Sequence, residues 1–176
     1  VAEPSACPVM EARREGGAYD FAVATPMQAR HLMATDALPL SKQWLLGGAP
    51  LPPGLEVQLM EQAQASGCTI HHGFGMTETL THIATRPLGS ALYRPLPGIA
   101  LSSGASGGLV VDAPERGVVQ LQTEDAVELV ETENGVAFRW LGRLDDVINS
   151  GGLKVHPAAL ERTLSERLVP FMGSRR

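Results

Sequence analysis

Cysteine is scarce in this 176-residue chain: Cys7 and Cys68 stand far apart, and neither has a second cysteine nearby. That argues against a disulfide framework or a zinc ribbon, both of which need closely spaced cysteines, and it suits a reducing cytoplasm. Clusters of Lys and Arg are missing too. At a formal net charge of -5 and a pI near 5.5, the chain lacks the basic surface that phosphate backbones select, so neither nucleic acid nor another acidic partner is expected. No apolar run is long enough to span a bilayer, and no basic segment followed by an apolar stretch marks a signal peptide. Repeats and low-complexity tracts are also lacking. What is present is a globular composition, 44% hydrophobic and 19% charged, long enough for one core of ordinary domain size. The first residue is Val1, and the chain stops at Arg175-Arg176 just behind a helical pattern, so a piece cut from a longer protein is expected.

The first half alternates strand-like and helix-like runs. Phe21-Ala22-Val23-Ala24 predicts a strand, Met27 to Met33 a short helix, and Trp44-Leu45-Leu46 a buried strand. Pro52-Pro53-Gly54 then opens a helix with Leu55, Leu59, Met60 and Ala63 on one face, closed by Gly67. Cys68 to His71 follows as the next strand. That order implies a parallel sheet covered by helices. From Leu96 the pattern changes to short strands punctuated by Gly and Pro: Ile99 to Leu101, Leu109 to Val111, Val118 to Leu121, Val127 to Val130 and Val136 to Trp140. Glu133-Asn134-Gly135 supplies a hairpin turn, because Asn and Gly tolerate positive φ. Beyond Asp146 the pattern predicts a strand, a Gly151-Gly152 turn, a strand through Val155 and a helix from Pro157.

Three segments carry candidate chemistry. In Gly73-Phe74-Gly75-Met76-Thr77-Glu78-Thr79 a strand ends in a turn and a helix is expected at Thr77, which would aim backbone N–H groups at an anion with Glu78 available for Mg²⁺. Local physics alone favours the plainer alternative, an ordinary N-cap beside a favourable acid. Leu46-Gly47-Gly48-Ala49-Pro50-Leu51-Pro52 is a strand end of small residues, suited equally to close ligand approach or to a tight turn before the helix. Gly142-Arg143-Leu144-Asp145-Asp146 through Gly151-Gly152-Leu153-Lys154 to Pro157 is, by itself, compatible with a solvated linker and hairpin.

In this order and spacing, the three segments resemble the signature motifs of the ANL superfamily of adenylate-forming enzymes: acyl-CoA synthetases, nonribosomal-peptide adenylation domains and luciferases. The resemblance covers nearly the whole chain. It implies an α/β fold, the C-terminal part of the ANL large domain, in which a parallel sheet with helices is followed by a small antiparallel β-subdomain, plus the start of the α+β lid domain. The implied partition is a partial nucleotide- and acyl-binding subdomain over residues 1–95, the β-subdomain over 96–142, and the hinge with a truncated lid over 143–176. By position, Gly48, Ala49 and Pro50 resemble the strand end bordering the adenine and acyl pockets. Phe74, beside Gly75, takes the place of the aromatic, commonly Tyr, that packs on adenine. Thr77 resembles the phosphate or carboxylate hydrogen-bond donor, and Glu78 the Mg²⁺ ligand. Thr123-Glu124-Asp125 stands where the family has Thr-Gly-Asp, which makes Asp125 the ribose ligand, with Glu124 in place of Gly a departure. Arg143 resembles the arginine at the ribose and phosphates, Asp145 the lid hinge, and Gly151, Gly152 and Lys154 the turn that approaches the pantetheine tunnel.

The function this implies is ATP-dependent activation of a carboxylate to acyl-AMP, then transfer to the thiol of CoA, with ATP, Mg²⁺, CoA and a small carboxylic acid as the molecules bound. Thr79-Leu80-Thr81-His82-Ile83-Ala84 and Phe138-Arg139-Trp140-Leu141-Gly142-Arg143 resemble the o-succinylbenzoate-CoA ligases of menaquinone biosynthesis, with His82 near the acyl pocket or else on the first turns of a helix as a core or surface residue. Another aryl- or acyl-CoA synthetase, or a non-catalytic nucleotide-binding remnant, are the alternatives. The Ser102 to Gly108 run is expected to be a flexible hairpin loop and not the phosphate loop, since no Lys follows it. His71 and His72 point to opposite faces of a strand, one packing and one facing the site, and are poor joint metal ligands. Lys42, Arg86 and Arg94 are expected as surface charges. With neither the upstream phosphate loop nor the lid's late Lys in the sequence, the chain alone is expected to show negligible adenylation.

Overall fold

A computed structural model describes residues 19–150 and 153–172. Cα packing divides the chain into two compact units, one running to Gly73 and taking in Pro87–Gly89, the other comprising Phe74–Arg86 and everything from Ser90 onward.

The first unit is built from β1 (Tyr19–Ala24), α1 (Pro26–Ala34), β2 (Ser41–Leu46), α2 (Pro53–Ser66) and the start of β3 (Thr69–Gly75). Thr25 sets the start of α1. Its Oγ1 accepts from the Gln28 N–H at 3.2 Å, and Gln28 Oε1 accepts from the Thr25 N–H at 2.8 Å, a reciprocal cap that satisfies two otherwise orphaned donors. Pro53 opens α2, and Gly67 closes it at φ 70°, its N–H donating to the Ala63 carbonyl. The three strands are parallel, with Ala22 beside Trp44 and Trp44 beside Ile70, as the strand and helix alternation requires. Leu32, Leu38, Trp44, Leu46, Leu55, Leu59 and Ile70 form the core of this unit. Leu55, Leu59 and Ala63 face it at four-residue intervals. Met60, expected on the same face, is 41% exposed because it sits one residue, about 100° of helical rotation, past Leu59.

The second unit is antiparallel. β4 (His82–Pro87) pairs with β5 (Arg94–Pro95), and β6 (Ala100–Ser103), β7 (Gly108–Ala113), β8 (Val118–Thr132) and β9 (Gly135–Arg143) form a four-stranded sheet in chain order. The Ser102 to Gly108 run contains the β6–β7 hairpin connection at residues 104–107, while Ser102 and Ser103, expected in the loop, are the paired end of β6 and Gly108 begins β7. Two expected strands, Val118 to Leu121 and Val127 to Val130, are instead one. The polar stretch between them stays extended because its backbone is laddered to β7 on one side and to β9 on the other. At the β8–β9 hairpin the positive φ falls on Gly135 alone, at 95°, and not on Asn134. β10 (Ile148–Ser150) and β11 (Leu153–Val155) form an antiparallel pair, and α3 (Pro157–Met172) begins at the expected proline, with exposed Leu160, Leu164 and Leu168 at four-residue spacing.

The core of this unit centres on Phe138, fully buried, with Ile83, Tyr93, Leu109 and Val111 around it. Tyr93 stacks on Phe138 at 5.2 Å between ring centroids, and Phe74 meets Phe138 edge-on at 5.1 Å. Arg86, expected at the surface, is only 8% exposed. Its guanidinium lies 5.3 Å from the Tyr93 ring centre and donates to the Ser90 carbonyl at 2.8 Å.

Candidate functional site

The Gly47 to Pro50 turn belongs to the first unit. Gly47 N–H donates to the Ala24 carbonyl, and Gly48 takes φ 82°, a conformation that a side chain would strain. Ala49 and Pro50 are exposed, but the Ala49 carbonyl accepts from His72 Nε2 at 3.1 Å, so that nitrogen carries a proton. His72 is buried and His71 half-exposed, which matches two neighbours on opposite faces of a strand.

Past β3 the expected helix at Thr77 does not form. Thr77–Thr79 is a single 3₁₀ turn, and the chain continues directly into β4, so His82 lies at the head of a strand and not on a helix. Thr79 explains the departure. Its buried hydroxyl accepts from the Met76 N–H at 3.1 Å and lies 2.9 Å from both the Met76 and the Thr81 carbonyl oxygens, bonds that compete with a helical ladder. Leu80 follows at φ 61° and reverses the chain. The helix-dipole argument for an anion site therefore lapses. Thr77 and Glu78 stand instead on a tight exposed turn, both side chains facing solvent. Gly75 makes that turn possible: a Cβ there would lie 2.5 Å from the Thr81 carbonyl oxygen. Phe74, expected to stack on adenine, is half-buried against Tyr93 and Phe138.

The clearest convergence of expected site residues lies on β8 and β9. Asp125 pairs with Arg143, Ala126 with Gly142, and then Val127 with Trp140, so Leu141 is an extra residue in β9. Gly142 bends the strand at this bulge with φ 136°, and a Cβ there would come within 3.3 Å of the Ala158 methyl. Because of the bulge, Arg143 and Trp140, three positions apart, share one face with Asp125 and Val127. Trp140 Nε1 donates to Asp125 Oδ1 at 2.8 Å, and the Asp125 N–H donates to Thr123 Oγ1 at 3.2 Å. β7 approaches closely beside this point, where a Cβ on Gly108 would lie 2.4 Å from the Thr123 carbonyl oxygen. Glu124, the departure from Thr-Gly-Asp, lies within β8 where its register with β7 shifts between Gln122 and Ala126, and its carbonyl accepts from the Leu144 N–H at 2.6 Å.

Arg143 is engaged with Asp145. Its Nε and Nη2 reach Oδ1 and Oδ2, both at 2.9 Å. The bond from Arg143 holds the Asp145 carboxyl below its ordinary value, and Asp145, with Asp125 and Asp146 nearby, pushes the guanidinium still further up. Next to the pair an open cleft of about 500 Å³ is bordered by Glu124, Leu144, Asp145, Val147 and His156. His156 Nδ1 is buried without a hydrogen-bond partner among the described residues. Gly151 and Gly152 lie outside the described residues. Lys154 is placed by its backbone opposite Asn149 in the β10–β11 pair.

The structure thus brings Asp125, Arg143 and Asp145 together, sets Phe74 and Gly75 at the end of β3 with Thr77 and Glu78 on the turn that follows, and places Gly48, Ala49 and Pro50 in the other unit. Sequence reasoning missed Trp140 and Thr79 as partners of these groups. The available signal for Trp140 was its position just before the Leu-Gly-Arg of the motif. Among the described residues no group of three or more His, Cys, Asp or Glu is assembled for a metal. A single exposed carboxylate such as Glu78 still fits Mg²⁺, which takes one or two carboxylates and completes its shell with water and phosphate oxygens.

No family model matches the chain. It is similar to the Bacillus anthracis 3,4-dihydroxybenzoate–aryl-carrier protein ligase, 31% identical over 128 residues, 68% of this chain and 28% of the relative. Among solved structures, the acyl-CoA synthetase (AMP-forming)/AMP-acid ligase II-like protein from Dyadobacter fermentans matches 97% of this chain and 48% of its own length, at 31% identity and a TM-score of 0.70. The Bacillus subtilis o-succinylbenzoate coenzyme A synthetase in complex with ATP and magnesium matches 94% of this chain and 40% of its own, at 22% identity and a TM-score of 0.69. The chain therefore spans from just over a quarter to about half of the proteins it resembles.

Proposed function

We propose, from the premise that the chain carries the C-terminal part of the adenylate-forming ligase fold, that it supplies the ribose-facing and hinge portion of an enzyme that activates a carboxylic acid with ATP. The observation that carries this reading is the pairing of Asp125 with Arg143 across β8 and β9, with Asp145 bound to the same arginine. A carboxylate and a guanidinium side by side on one strand pair suit a ligand with vicinal hydroxyls next to phosphates. Hydroxyls donate to Asp125, and phosphate oxygens accept from Arg143.

In this reading Phe74 offers a ring to adenine, and Gly48, Ala49 and Pro50 border the adenine and acyl groups. Thr77 donates to a phosphate or to the substrate carboxylate. Glu78 would hold magnesium, which offsets phosphate charge as pyrophosphate leaves. The carboxylate oxygen bonds to the α-phosphorus, pyrophosphate departs, and acyl-AMP results. A thiol sulfur then bonds to the acyl carbon as AMP leaves and the thiol proton passes to solvent. Asp145 is the pivot between these two steps, and Gly151, Gly152 and Lys154 approach the pantetheine arm in the second. Aromatic acids are the favoured substrates, since the relatives are named for 3,4-dihydroxybenzoate and o-succinylbenzoate. The o-succinylbenzoate reading with CoA as acceptor rests on the Thr79 to Ala84 and Phe138 to Arg143 phrases. A carrier-protein thiol is the second reading, favoured by the Bacillus anthracis relative.

The test is ATP–pyrophosphate exchange in the full-length polypeptide containing this chain, with 3,4-dihydroxybenzoate, o-succinylbenzoate and an aliphatic acid, followed by detection of the thioester formed with CoA or a carrier protein. Exchange that depends on an aromatic acid is expected. Nucleotide binding without exchange for any acid would favour a non-catalytic module.

A further inference from the structure

Among the described residues, one side-chain donor is bonded to the two-oxygen carboxylate of Asp125. Trp140 Nε1 donates to Oδ1 at 2.8 Å from the diagonal position on the same face of the β8–β9 pair. The bulge absorbs Leu141 as an extra residue, so that Trp140 stands opposite Val127 while Arg143 stays opposite Asp125. Trp140 is itself half-buried against the second unit's core, so its indole is held by packing and not by the carboxylate alone. Arg143, the nearest cation in register, has its Nε and Nη2 committed to Asp145.

We propose that Trp140 is a positioning residue for nucleotide recognition: its indole N–H pins Oδ1 of Asp125, fixing the carboxylate plane so that the other oxygen is presented to the ligand's ribose hydroxyls. The inference rests on the reading of Asp125 as the ribose ligand. An aspartate free to rotate about χ2 would lose conformational freedom on binding. One already held by a tryptophan loses less, and the difference appears as affinity for hydroxyl-bearing sugars. Tryptophan suits this place because it gives a single donor on a rigid ring and cannot compete as an acceptor for the ribose protons. Phenylalanine or tyrosine would fill much of the same space without a donor at the same point.

The experiment measures equilibrium binding of ATP and of 2′,3′-dideoxy-ATP to the full-length polypeptide, as wild type, W140F, D125A and the double variant, with thermal melts to confirm folding. The expected result is that wild type prefers ATP, D125A loses the preference, and W140F reduces it by about 3- to 10-fold, the scale of one hydrogen bond, with affinity for the dideoxy analogue unchanged. In the double variant W140F should add nothing to D125A. Equal weakening of ATP and dideoxy-ATP by W140F would make Trp140 a structural residue only and overturn the proposal, as would an unaltered ATP preference in W140F. If wild type shows no preference for ATP, or D125A retains it, the ribose reading itself fails and takes the proposal with it. That result is separable from the previous two because it appears in wild type or in the D125A arm.

Discussion

Arg143 grips Asp145 with two parallel N–H donors at 2.9 Å, although only Leu144 separates them in the chain. A bidentate pair this local holds the backbone of the proposed hinge in one shape while both side chains stay about half exposed. Its strength must follow pH in a defined direction. The folded Asp145 carboxyl lies below its ordinary 3.8, so its contribution is complete above that value and is lost as pH falls through the depressed one. D145N should therefore melt at a slightly lower temperature than wild type at pH 7, with the gap closing in acid and shrinking in molar salt. A gap unchanged by either condition would mean the pair does not produce it.

Gly142 and Gly54 should respond in opposite directions to the same substitution. Gly142 sits at φ 136° with the Ala158 methyl close by, so G142A is expected to cost about 1–3 kcal/mol in urea denaturation. Gly54 lies in the first turn of α2 with open space around it, and G54A should stabilise by about 0.5–1 kcal/mol.

Leu80 is 85% exposed yet holds φ 61°, so it contributes strain without burial. Replacing it with glycine is expected to raise stability by about 0.5–1 kcal/mol, the relief of the positive φ less the added freedom of the unfolded chain. A clear loss of stability in L80G would show that the side chain makes contacts that matter.

Phe138 is the centre of the second core, fully buried and in contact with Tyr93 and Phe74. F138A should cost about 3–5 kcal/mol, a large share of the margin of a typical domain. Chemical denaturation checks this, and a cost under about 1 kcal/mol would contradict the packing described.

Burial pushes the Cys68 thiol up, so less of it is thiolate near neutral pH. Alkylation at pH 8, followed by mass mapping to separate Cys68 from Cys7, should label Cys68 more slowly in the folded chain than in urea. Equal rates would place the thiol in open water.

What the sequence disclosed was what neighbouring residues decide among themselves. Pro53 and Gly67 bracket α2, Thr25 and Pro26 begin α1, and apolar runs mark β1 to β3, because caps and patterns act over one or two turns. Distant partners were not visible. Thr77 looked like a helix start until the Thr79 hydroxyl and the demand for Ile83 and Ala84 in the second core drew the chain into β4. Gln122 to Ala126 looked like a break until two flanking strands supplied its hydrogen bonds. Arg86 carries a charge that usually faces water, and only Tyr93 and the Ser90 carbonyl reveal why it does not. For the site, the order of motifs along the chain was legible, while the indole donor on Asp125 stands beside a bulge that no local pattern announces.

That bulge makes residue count itself a specification. In ladder terms, Leu141 is the residue β9 could lose with every pairing between Asp125 and Thr132 retained, because the strand would merely become regular. Removing Arg139 or Ala137 instead would reverse the inward and outward parity of the rest of the strand toward the hairpin and turn Phe138 or its neighbours out of the core. Insertions and deletions, more than exchanges of one side chain for another, are the edits to which this strand pair is least tolerant, and position 141 is where a length change does the least harm.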